Sequence, residues 1–386
     1  MRYIPQPLLE ALTGSLVSAR LAVHSWYNGN VMKQNLPISS WAINWDGNDT
    51  ALVQGKLSLS VKDADGSLSP WGWDEALSAG GSRLQTTLTI GDSAVDIGWW
   101  LITGNEPEET WRIAGGDAQW VSTGSEIPIE ADELTRLAAD YEFWAPEAPI
   151  AGATVISEVR RLMQDICPVV VGAGVNDKAL PGGLVYDSNR AAHALDLLRS
   201  INCWYRMTGD GALEVYSQVR TAPVWSIKGK RGGALVSVKR RQSRNDILNG
   251  VASTSNDSSV EITRLSMLQV GPLRYGGPAG WLTEKHTAIA NTTSGVQDDA
   301  DTYLANKNAG KTLPLKVVCV PHPGLQIGDW VRVMQPVIDG EEFPLDGIVT
   351  SVRLAGDEGG LLPMELTVEV SADDAQRVRN YLRRTL

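Results

Sequence analysis

The clearest pattern in this sequence is a run of four amphipathic segments near its C-terminal end, in which apolar and more polar residues alternate. The segments are 313–319, 331–333, 348–354 and 364–370. Because successive side chains of a strand point to opposite faces, a period of two predicts strands with one buried face. Clusters of Gly, Pro and Asp separate the segments, as the turns of an antiparallel meander require. The pattern therefore predicts a closing antiparallel sheet.

The region before residue 128 also shows strand patterns. Alternation predicts strands at 17–26, 56–61 and 84–90, after a short helix at 6–12. Ten of the 14 tryptophans of the chain lie before residue 145. Trp is enriched at protein interfaces, and its indole N–H needs a partner when it is buried. We therefore predict that residues 1–127 form a Trp-rich β domain, with some tryptophans in its core and others on a contact with another subunit.

Residues 128–221 change to mixed helix and strand patterns. One helix is predicted at about 134–141, a second after Thr154 and a third after Asp187, since both side chains suit an N-cap position. A hairpin is predicted around the turn Gly209-Asp210-Gly211, because Asp-Gly between alternating segments tolerates positive φ. These patterns predict an α+β insertion domain.

The chain returns to β patterns at residue 222, and we predict a second β domain at 222–371. A polar, Gly- and Ser-rich stretch at 253–280 is interpreted as a long loop. A final helix at 372–386 is predicted after Ser371, with acidic residues in its first turn and arginines at its end, as the helix dipole favours. The order of the regions predicts an α+β, mainly β fold: two small antiparallel β-barrels flank an insertion, and a short C-terminal helix follows.

Composition and charge narrow the function classes. With 43% hydrophobic and 20% charged residues, the chain is typical of globular proteins, and no apolar run is long enough to span a bilayer. The N-terminal segment is a poor signal peptide, so secretion by that route is not expected. The net charge of −11 argues against a nucleic-acid-binding protein but suits a passage through which DNA moves without adsorbing. Cys167, Cys203 and Cys319 fit buried thiols in a reducing compartment.

Basic residues cluster at two places in this acidic chain. The first cluster consists of Lys228, Lys230, Arg231, Lys239, Arg240, Arg241 and Arg244. It is either a solvated strand edge or a contact with an acidic neighbour. The second lies in the final helix and consists of Arg377, Arg379, Arg383 and Arg384. It is either a docking peg for another protein or a solvated chain end.

The search for catalytic chemistry finds little. None of the four histidines has a second His at metal-ligand spacing, and neither a nucleophile elbow nor a phosphate-binding loop is present. Asp63 and Asp65 suit a turn stabilised by Asp side chains better than a calcium loop, since the anchoring positions of an EF-hand register are not acidic. Glu106, Glu108 and Glu109 lie near several tryptophans, which leaves open a carbohydrate-binding receptor module or a glycosidase. The leading expectation is a non-enzyme without metal or cofactor.

Three strings resemble segments of phage tail proteins and keep their order along the chain. The string Val61-Lys-Asp63-Ala-Asp65-Gly66-Ser-Leu68-Ser-Pro70, followed by Asp74, Leu77 and Gly80, is similar to the first-barrel signature of minor tail proteins from siphophages of actinobacteria. The string Arg244-Asn-Asp-Ile-Leu-Asn249-Gly250-Val251 resembles the segment that opens the second barrel of tail-hub proteins. The string Leu325-Gln-Ile-Gly328-Asp329-Trp330-Val331 resembles a turn in their closing meander.

The resemblance implies the two-barrel fold of central baseplate hub proteins and a place at the virion tail tip after assembly in the host cytoplasm. Three copies would form a ring that docks on the sixfold tail tube and presents threefold symmetry to the tip. Expected partners are the distal tail protein and tail tube, the tape-measure protein, and other tail-tip or fibre proteins. Genome DNA would pass through the lumen, which the ring holds closed until ejection. Since the chain stops at Leu386, host-binding activity is expected on other polypeptides.

Aromatic and basic side chains are the ones expected to contact such neighbours. The predicted contact residues are Trp99, Trp100, Lys239, Arg240, Arg241, Arg383 and Arg384.

Overall fold

The computed structural model of this protein describes residues 1–5, 8, 19–47, 52–114, 119–230, 233–240, 243–244, 247–256, 261–307, 312–337 and 341–385. In the N-terminal region the strands are β1 (Ala19–Tyr27), β2 (Asn30–Lys33), β3 (Ile38–Asp46), β4 (Gly55–Asp63), β5 (Arg83–Ile90), β6 (Ser93–Asn105), β7 (Glu108–Ala114) and β8 (Gln119–Glu133). The middle region contains α1 (Thr135–Asp140), α2 (Val155–Leu162), β9 (Val169–Val171), α3 (Arg190–Ser200), β10 (Cys203–Met207) and β11 (Leu213–Ser217).

The remaining elements follow in the C-terminal region. They are β12 (Trp225–Ile227), β13 (Leu235–Arg240), β14 (Gly250–Ser255), β15 (Thr263–Met267), β16 (Thr283–Ala288), α4 (Thr293–Lys307), β17 (Thr312–Cys319), β18 (Trp330–Pro336), β19 (Glu342–Asp357), β20 (Gly360–Leu361), β21 (Met364–Ser371) and α5 (Ala372–Thr385). Within the described parts of the chain, none of the helices is long and apolar enough to cross a membrane.

The N-terminal strands form a sheet in the order β4-β8-β6-β5-β1-β2, with β3 on the outer side of β4 and β7 paired to β8. Strict alternation of buried and half-exposed residues along β5 confirms the strand predicted at 84–90, with Leu84, Thr86, Leu88 and Ile90 facing the core. The strands predicted at 17–26 and 56–61 are confirmed as β1 and β4. The helix predicted at 6–12 lies outside the described residues, apart from Leu8.

The four predicted C-terminal strands exist as β17, β18, β19 and β21, but their order differs from a simple meander. β18, β19 and β21 pair in sequence, whereas β17 pairs with the far side of β21. This is a Greek-key order. The prediction of a meander was wrong because alternation fixes which residues face the core but not which strands are neighbours. The connection at 320–329 contributes the buried Leu325 and Ile327, so it crosses the sheet instead of forming a tight hairpin.

The long strand β19 joins the two β regions. Its first half pairs with β18, and its second half pairs with β3 from Ser351↔Asp46 to Asp357↔Ser40. One hydrogen-bonded sheet of 15 strands therefore runs through both regions. A single apolar core follows it, with residues from both sides such as Ile43, Leu59, Val352 and Leu366. The predicted α+β, mainly β fold class is confirmed, while the predicted domain boundaries stay a prediction.

The middle region has a separate apolar core, built from α1, α2, α3 and a three-stranded sheet in the order β10-β11-β9. The predicted hairpin is confirmed, with Cys203↔Ser217 to Met207↔Leu213 in antiparallel register. Asp187 was predicted to cap the third helix, which is wrong: Asn189 caps it by accepting the Ala192 N–H at 2.8 Å. The helix starts later because the N–H groups of Asp187 and Ser188 both donate to His193 Nε2.

A small third unit occupies part of the stretch predicted as a long loop. β14 runs to Ser255 and β15 covers Thr263–Met267, and these strands form a sheet in the order β15-β14-β16 under α4. The prediction of a loop was wrong for these residues. No strand pattern is visible in the sequence at β15, because its apolar Leu265 is 57% exposed and its buried residue is the polar Ser266.

The helix α5 begins where the sequence predicts. The Asp373 N–H donates to Ser371 Oγ at 3.2 Å, which satisfies one free donor of the first turn. Val378 is buried against the shared core, so the helix is anchored by an apolar contact. The side chains of Arg383 and Arg384 lie outside the described residues, and their role as contacts stays a prediction.

The predicted cap at Thr154 is confirmed and gives a test of local stability. Thr154 Oγ1 accepts the Ser157 N–H at 3.3 Å, and Ser157 Oγ accepts the Thr154 N–H at 2.8 Å. We expect Thr154→Ala to lower the free energy of unfolding by about 1 kcal/mol, since one donor of the first turn loses its partner. Urea unfolding would measure this loss. Thr154→Ser keeps the hydroxyl and should retain most of the stability; equal losses in both variants would contradict the capping role.

Candidate assembly surfaces

The tryptophans divide into a buried and an exposed set. Trp100 is 1% exposed, its indole N–H donates to Thr86 Oγ1 at 2.8 Å, and its ring lies 5.9 Å from that of Trp45. Trp100 is therefore a core residue and belongs to no exposed surface, although the sequence predicted it as a contact. Trp99 is partly buried between the Trp26 ring, 5.4 Å away, and the core of the middle region. A contact of Trp99 with another protein stays a prediction.

Four exposed apolar residues lie on one hairpin that we call the arm, formed by β7 and residues 119–126 of β8. Trp111, Ile113, Trp120 and Val121 are 54%, 58%, 67% and 41% exposed. In the described chain β7 pairs with β8 alone, so its outer edge has unpaired N–H and C=O groups. An open edge that carries apolar side chains favours pairing with another chain. The sequence reasoning did not single out these residues among the tryptophans.

The base of the arm is fixed against the turn at Asp63. Gly124 has a φ of +104°, and a Cβ there would come within 2.8 Å of the Asp63 carbonyl oxygen. Any other residue would therefore be strained and would push the arm away. The predicted Asp-stabilised turn is confirmed: Leu68 N–H donates to Asp63 Oδ2 and Ser67 N–H to Asp65 Oδ1. Among the described residues, no group of three His, Cys, Asp or Glu side chains could hold a metal ion.

The basic cluster lies on and beside another open edge, that of β13. This strand ends the sheet and pairs with β17 alone among the described strands. We call its exposed cations Lys228, Lys230, Lys239 and Arg240 the basic edge. Val236, at a bulge between Leu235 and Ser237, is 63% exposed beside them. The interpretation as a strand edge is confirmed for Lys239 and Arg240, whereas Arg241 lies outside the described residues. Contact with an acidic neighbour stays a prediction.

The carboxylates considered for a glycosidase lie away from two cavities found among the described residues. Glu106, Glu108 and Glu109 lie at the base of the arm, where the first two are exposed and the third is half-buried. Two cavities of about 590 Å³ and about 180 Å³ lie elsewhere, at 269–278 and beside Arg206. A glycosidase needs two carboxylates facing one bound sugar, and these three residues do not line either cavity. A carbohydrate-binding or glycosidase role of these residues stays a prediction.

A buried ion-pair cluster joins the middle region to the C-terminal sheet. Arg206 on β10 contacts Glu214 Oε2 at 2.7 Å and Asp329 Oδ1 at 2.9 Å, and it donates to the Ile327 carbonyl at 3.1 Å. Asp329 also accepts the Gln326 N–H at 2.9 Å and the Met1 amine. Burial opposes ionisation of Arg206, but the two carboxylates raise its pKa above the ordinary value. The cluster is therefore a charged clamp between two parts of the chain.

The turn at Gly328-Asp329, which belongs to the string Leu325–Val331 that resembles tail-hub proteins, positions one carboxylate of this clamp. Gly328 has a φ of +83°, and a Cβ there would come within 2.3 Å of the Tyr216 ring. The close approach places Asp329 against Arg206. Arg206 was not predicted as a functional residue, although a charged residue inside the otherwise apolar segment Cys203–Met207 is a visible signal.

A second junction joins the N-terminal sheet to α1 through a buried carboxyl group. Glu133 is 1% exposed, and its Oε1 accepts the Gln54 N–H at 2.9 Å and the Thr135 hydroxyl at 2.7 Å. Burial raises the pKa of Glu133 to about 7, and the neighbouring Asp132 acts in the same direction. Tyr205 of β10 donates to the Leu52 carbonyl nearby at 2.6 Å. The middle region is thus attached to each β region by a buried polar contact.

The fold is that of phage tail proteins. A tail protein from Neisseria meningitidis superposes with a TM-score of 0.58 and 14% identity, covering 90% of this chain and 96% of that one. The 43 kDa tail protein of prophage MuSo2 from Shewanella oneidensis gives a TM-score of 0.57 and 12% identity, covering 92% of this chain and 99% of that one. The resemblance inferred from the three strings is confirmed at the level of the fold.

Secretion machinery provides a further similar structure. An E. coli component of the type VI secretion system, itself described as similar to bacteriophage T4 tail proteins, matches with a TM-score of 0.50 and 10% identity, covering 90% of this chain and 76% of that one. No protein-family model matches this sequence, and no curated protein matches it significantly. At these identities the likeness defines the fold alone.

Proposed function

We propose that this protein is a structural component of a phage tail, the homotrimeric hub at the distal end of a long tail. The observation that carries the proposal is the shared fold, which spans nearly the whole of both this chain and the two tail proteins. The open edge of β13 and the arm with its exposed tryptophans add support, because a ring subunit needs a surface that is large and partly apolar.

The proposed ring adapts the sixfold tail tube to a threefold tip. Each copy supplies two β regions, so three copies present six lobes upward and three identical faces downward. The distal tail protein and tail tube lie above it, other tip or fibre proteins below it, and the end of the tape-measure protein inside it. The ring holds the lumen closed until DNA ejection. The net charge of −11 suits this role, since like charge keeps DNA from adsorbing to the wall.

The assembly is tested by measuring the mass and shape of the purified chain. We expect light scattering during gel filtration to give three times the 41.7 kDa chain mass, and negative-stain images to show rings, with or without added distal tail protein. Antibody labelling of intact particles against this chain should mark the tail tip. A monomer that persists at high concentration, and that forms no ring on the distal tail protein, would overturn the proposed hub.

A further inference from the structure

Two of the open strand edges among the described residues carry opposite charge, and they lie in different β regions. The arm exposes the outer edge of β7, and β13 exposes the outer edge at one end of the sheet. An unpaired strand edge is a template for pairing with another chain. Because the two edges belong to different strands, a contact between them in two copies is head-to-tail. Head-to-tail contacts repeat from copy to copy and close into rings when the rotation allows.

The charges on the two edges oppose pairing of like with like. β7 carries Glu108 and Glu109, and Glu126 lies opposite Glu108 on β8, against the single cation Arg112. The basic edge carries four cations. An arm therefore repels a second arm, and a basic edge repels a second basic edge, which disfavours a twofold symmetric dimer. The arm and the basic edge attract each other, so the charge pattern selects the head-to-tail contact.

The order of residues along the two strands selects an antiparallel alignment. Along β7 the acidic Glu108 precedes the apolar Trp111, whereas along β13 the apolar Val236 precedes the basic Lys239. An antiparallel register that places Glu108 opposite Lys239 also places Trp111 opposite Val236. A parallel alignment would set the carboxylates beside Val236. Opposite-charge and aromatic–aliphatic cross-strand pairs both stabilise a ladder.

We propose that the arm of one copy lies antiparallel along the β13 edge of the next copy, with Trp111 against Val236 and Glu108 against Lys239. This inference rests on the proposed ring and names the surface that closes it. The partner of each edge is a second copy of this chain, and the arm provides the apolar contact while the basic edge orients it.

Cross-linking tests the proximity of the two edges. We expect the variant Trp111→Cys with Val236→Cys to form disulfide-linked dimers and trimers under mild oxidation, seen on a non-reducing gel. Cys203 and Cys319 are buried, so a Cys167→Ser background removes the more accessible native thiol. The matched control is Trp73→Cys with Val236→Cys, because Trp73 is 77% exposed at another site. Equal cross-linking in both variants, or none in the first, would overturn the inference.

Charge reversal tests the same contact without new thiols. We expect Glu108→Lys with Glu109→Lys, and separately Lys239→Glu with Arg240→Glu, to weaken trimer formation by about 10-fold or more, measured by sedimentation. Combining all four changes should restore the trimer. Asp92→Lys and Lys33→Glu change exposed charges elsewhere and should leave it unaffected.

The outcomes separate this inference from the proposed function. If the wild type forms rings, both charge-reversal variants form them equally well and the cysteine pair gives no cross-link, the arm contact is overturned and the proposed hub is not. A wild-type chain that forms no ring, alone or on the distal tail protein, would overturn both. The contact is supported if each charge-reversal variant loses the trimer and the variant with all four changes recovers it. A folding defect would not be repaired by adding more changes.

Discussion

Replacing Arg206 with Met is expected to lower the free energy of unfolding by about 3 kcal/mol. The change leaves Asp329 buried with its Arg partner removed, and the Ile327 carbonyl loses its donor. Breaking a buried ion pair from one side costs about 3–5 kcal/mol, because the remaining charge is desolvated without compensation. The Gln326 N–H still donates to Asp329, which keeps the loss near the lower end of that range. Chemical denaturation followed by Trp fluorescence would measure it.

The matched control is Arg353→Met. Arg353 also pairs with a carboxylate, Glu365 Oε1 at 3.2 Å, but the two side chains are 49% and 57% exposed. Exposed pairs contribute up to about 1 kcal/mol, so this change should be nearly neutral. Adding Asp329→Asn to Arg206→Met should cost less than the sum of the single changes, since the two groups interact directly. A loss at Arg206 no larger than that at Arg353 would refute the clamp.

Replacing Glu133 with Gln is expected to stabilise the protein above neutral pH and to remove part of its pH dependence. In the unfolded chain this carboxyl group loses its proton near 4.5, whereas in the folded protein it keeps the proton up to about 7. Between these values the folded state binds more protons, so stability falls as pH rises. The difference in pKa corresponds to roughly 3 kcal/mol above pH 7.

Urea unfolding of the wild type and Glu133→Gln between pH 5 and pH 8 would measure this effect. The two proteins should be similar near pH 5 and diverge as the pH rises, with the variant the more stable. Glu365→Gln provides the control, because Glu365 is 57% exposed and its replacement should leave the pH profile unchanged. If the difference in free energy of unfolding between the wild type and Glu133→Gln stayed constant from pH 5 to pH 8, Glu133 would not be held protonated in the folded protein.

Sequence periodicity predicted the strands of the core well because one face of each is buried. β5 and β21 alternate almost perfectly, and a register shift would expose every apolar side chain. Periodicity did not predict strands in which buried and exposed residues do not alternate. In β10 all five residues are buried, and in β15 only Ser266 is, so neither strand has the period of two that marks an exposed face. The hairpin turn, not periodicity, allowed β10 to be found.

Pairing between distant segments was beyond the reach of the sequence. Nothing in the local pattern of β19 or β3 indicates that they are neighbours, since each would be equally amphipathic at a free edge. The sequence indicated the candidate surfaces only in part. Lys239 and Arg240 stand out as a charge cluster, and their contact with another protein stays a prediction. Trp100 is a core residue, which the sequence did not show because Trp suits a core and an interface alike. Only the three-dimensional path of the chain separates these cases.

The β19–β3 ladder determines how the molecule carries mechanical load. Seven residue pairs, from Ser351↔Asp46 to Asp357↔Ser40, join the N-terminal and C-terminal β regions. Shearing the two strands apart would break a whole row of backbone hydrogen bonds at once. A force applied to either β region is therefore expected to be transmitted to the other along β19.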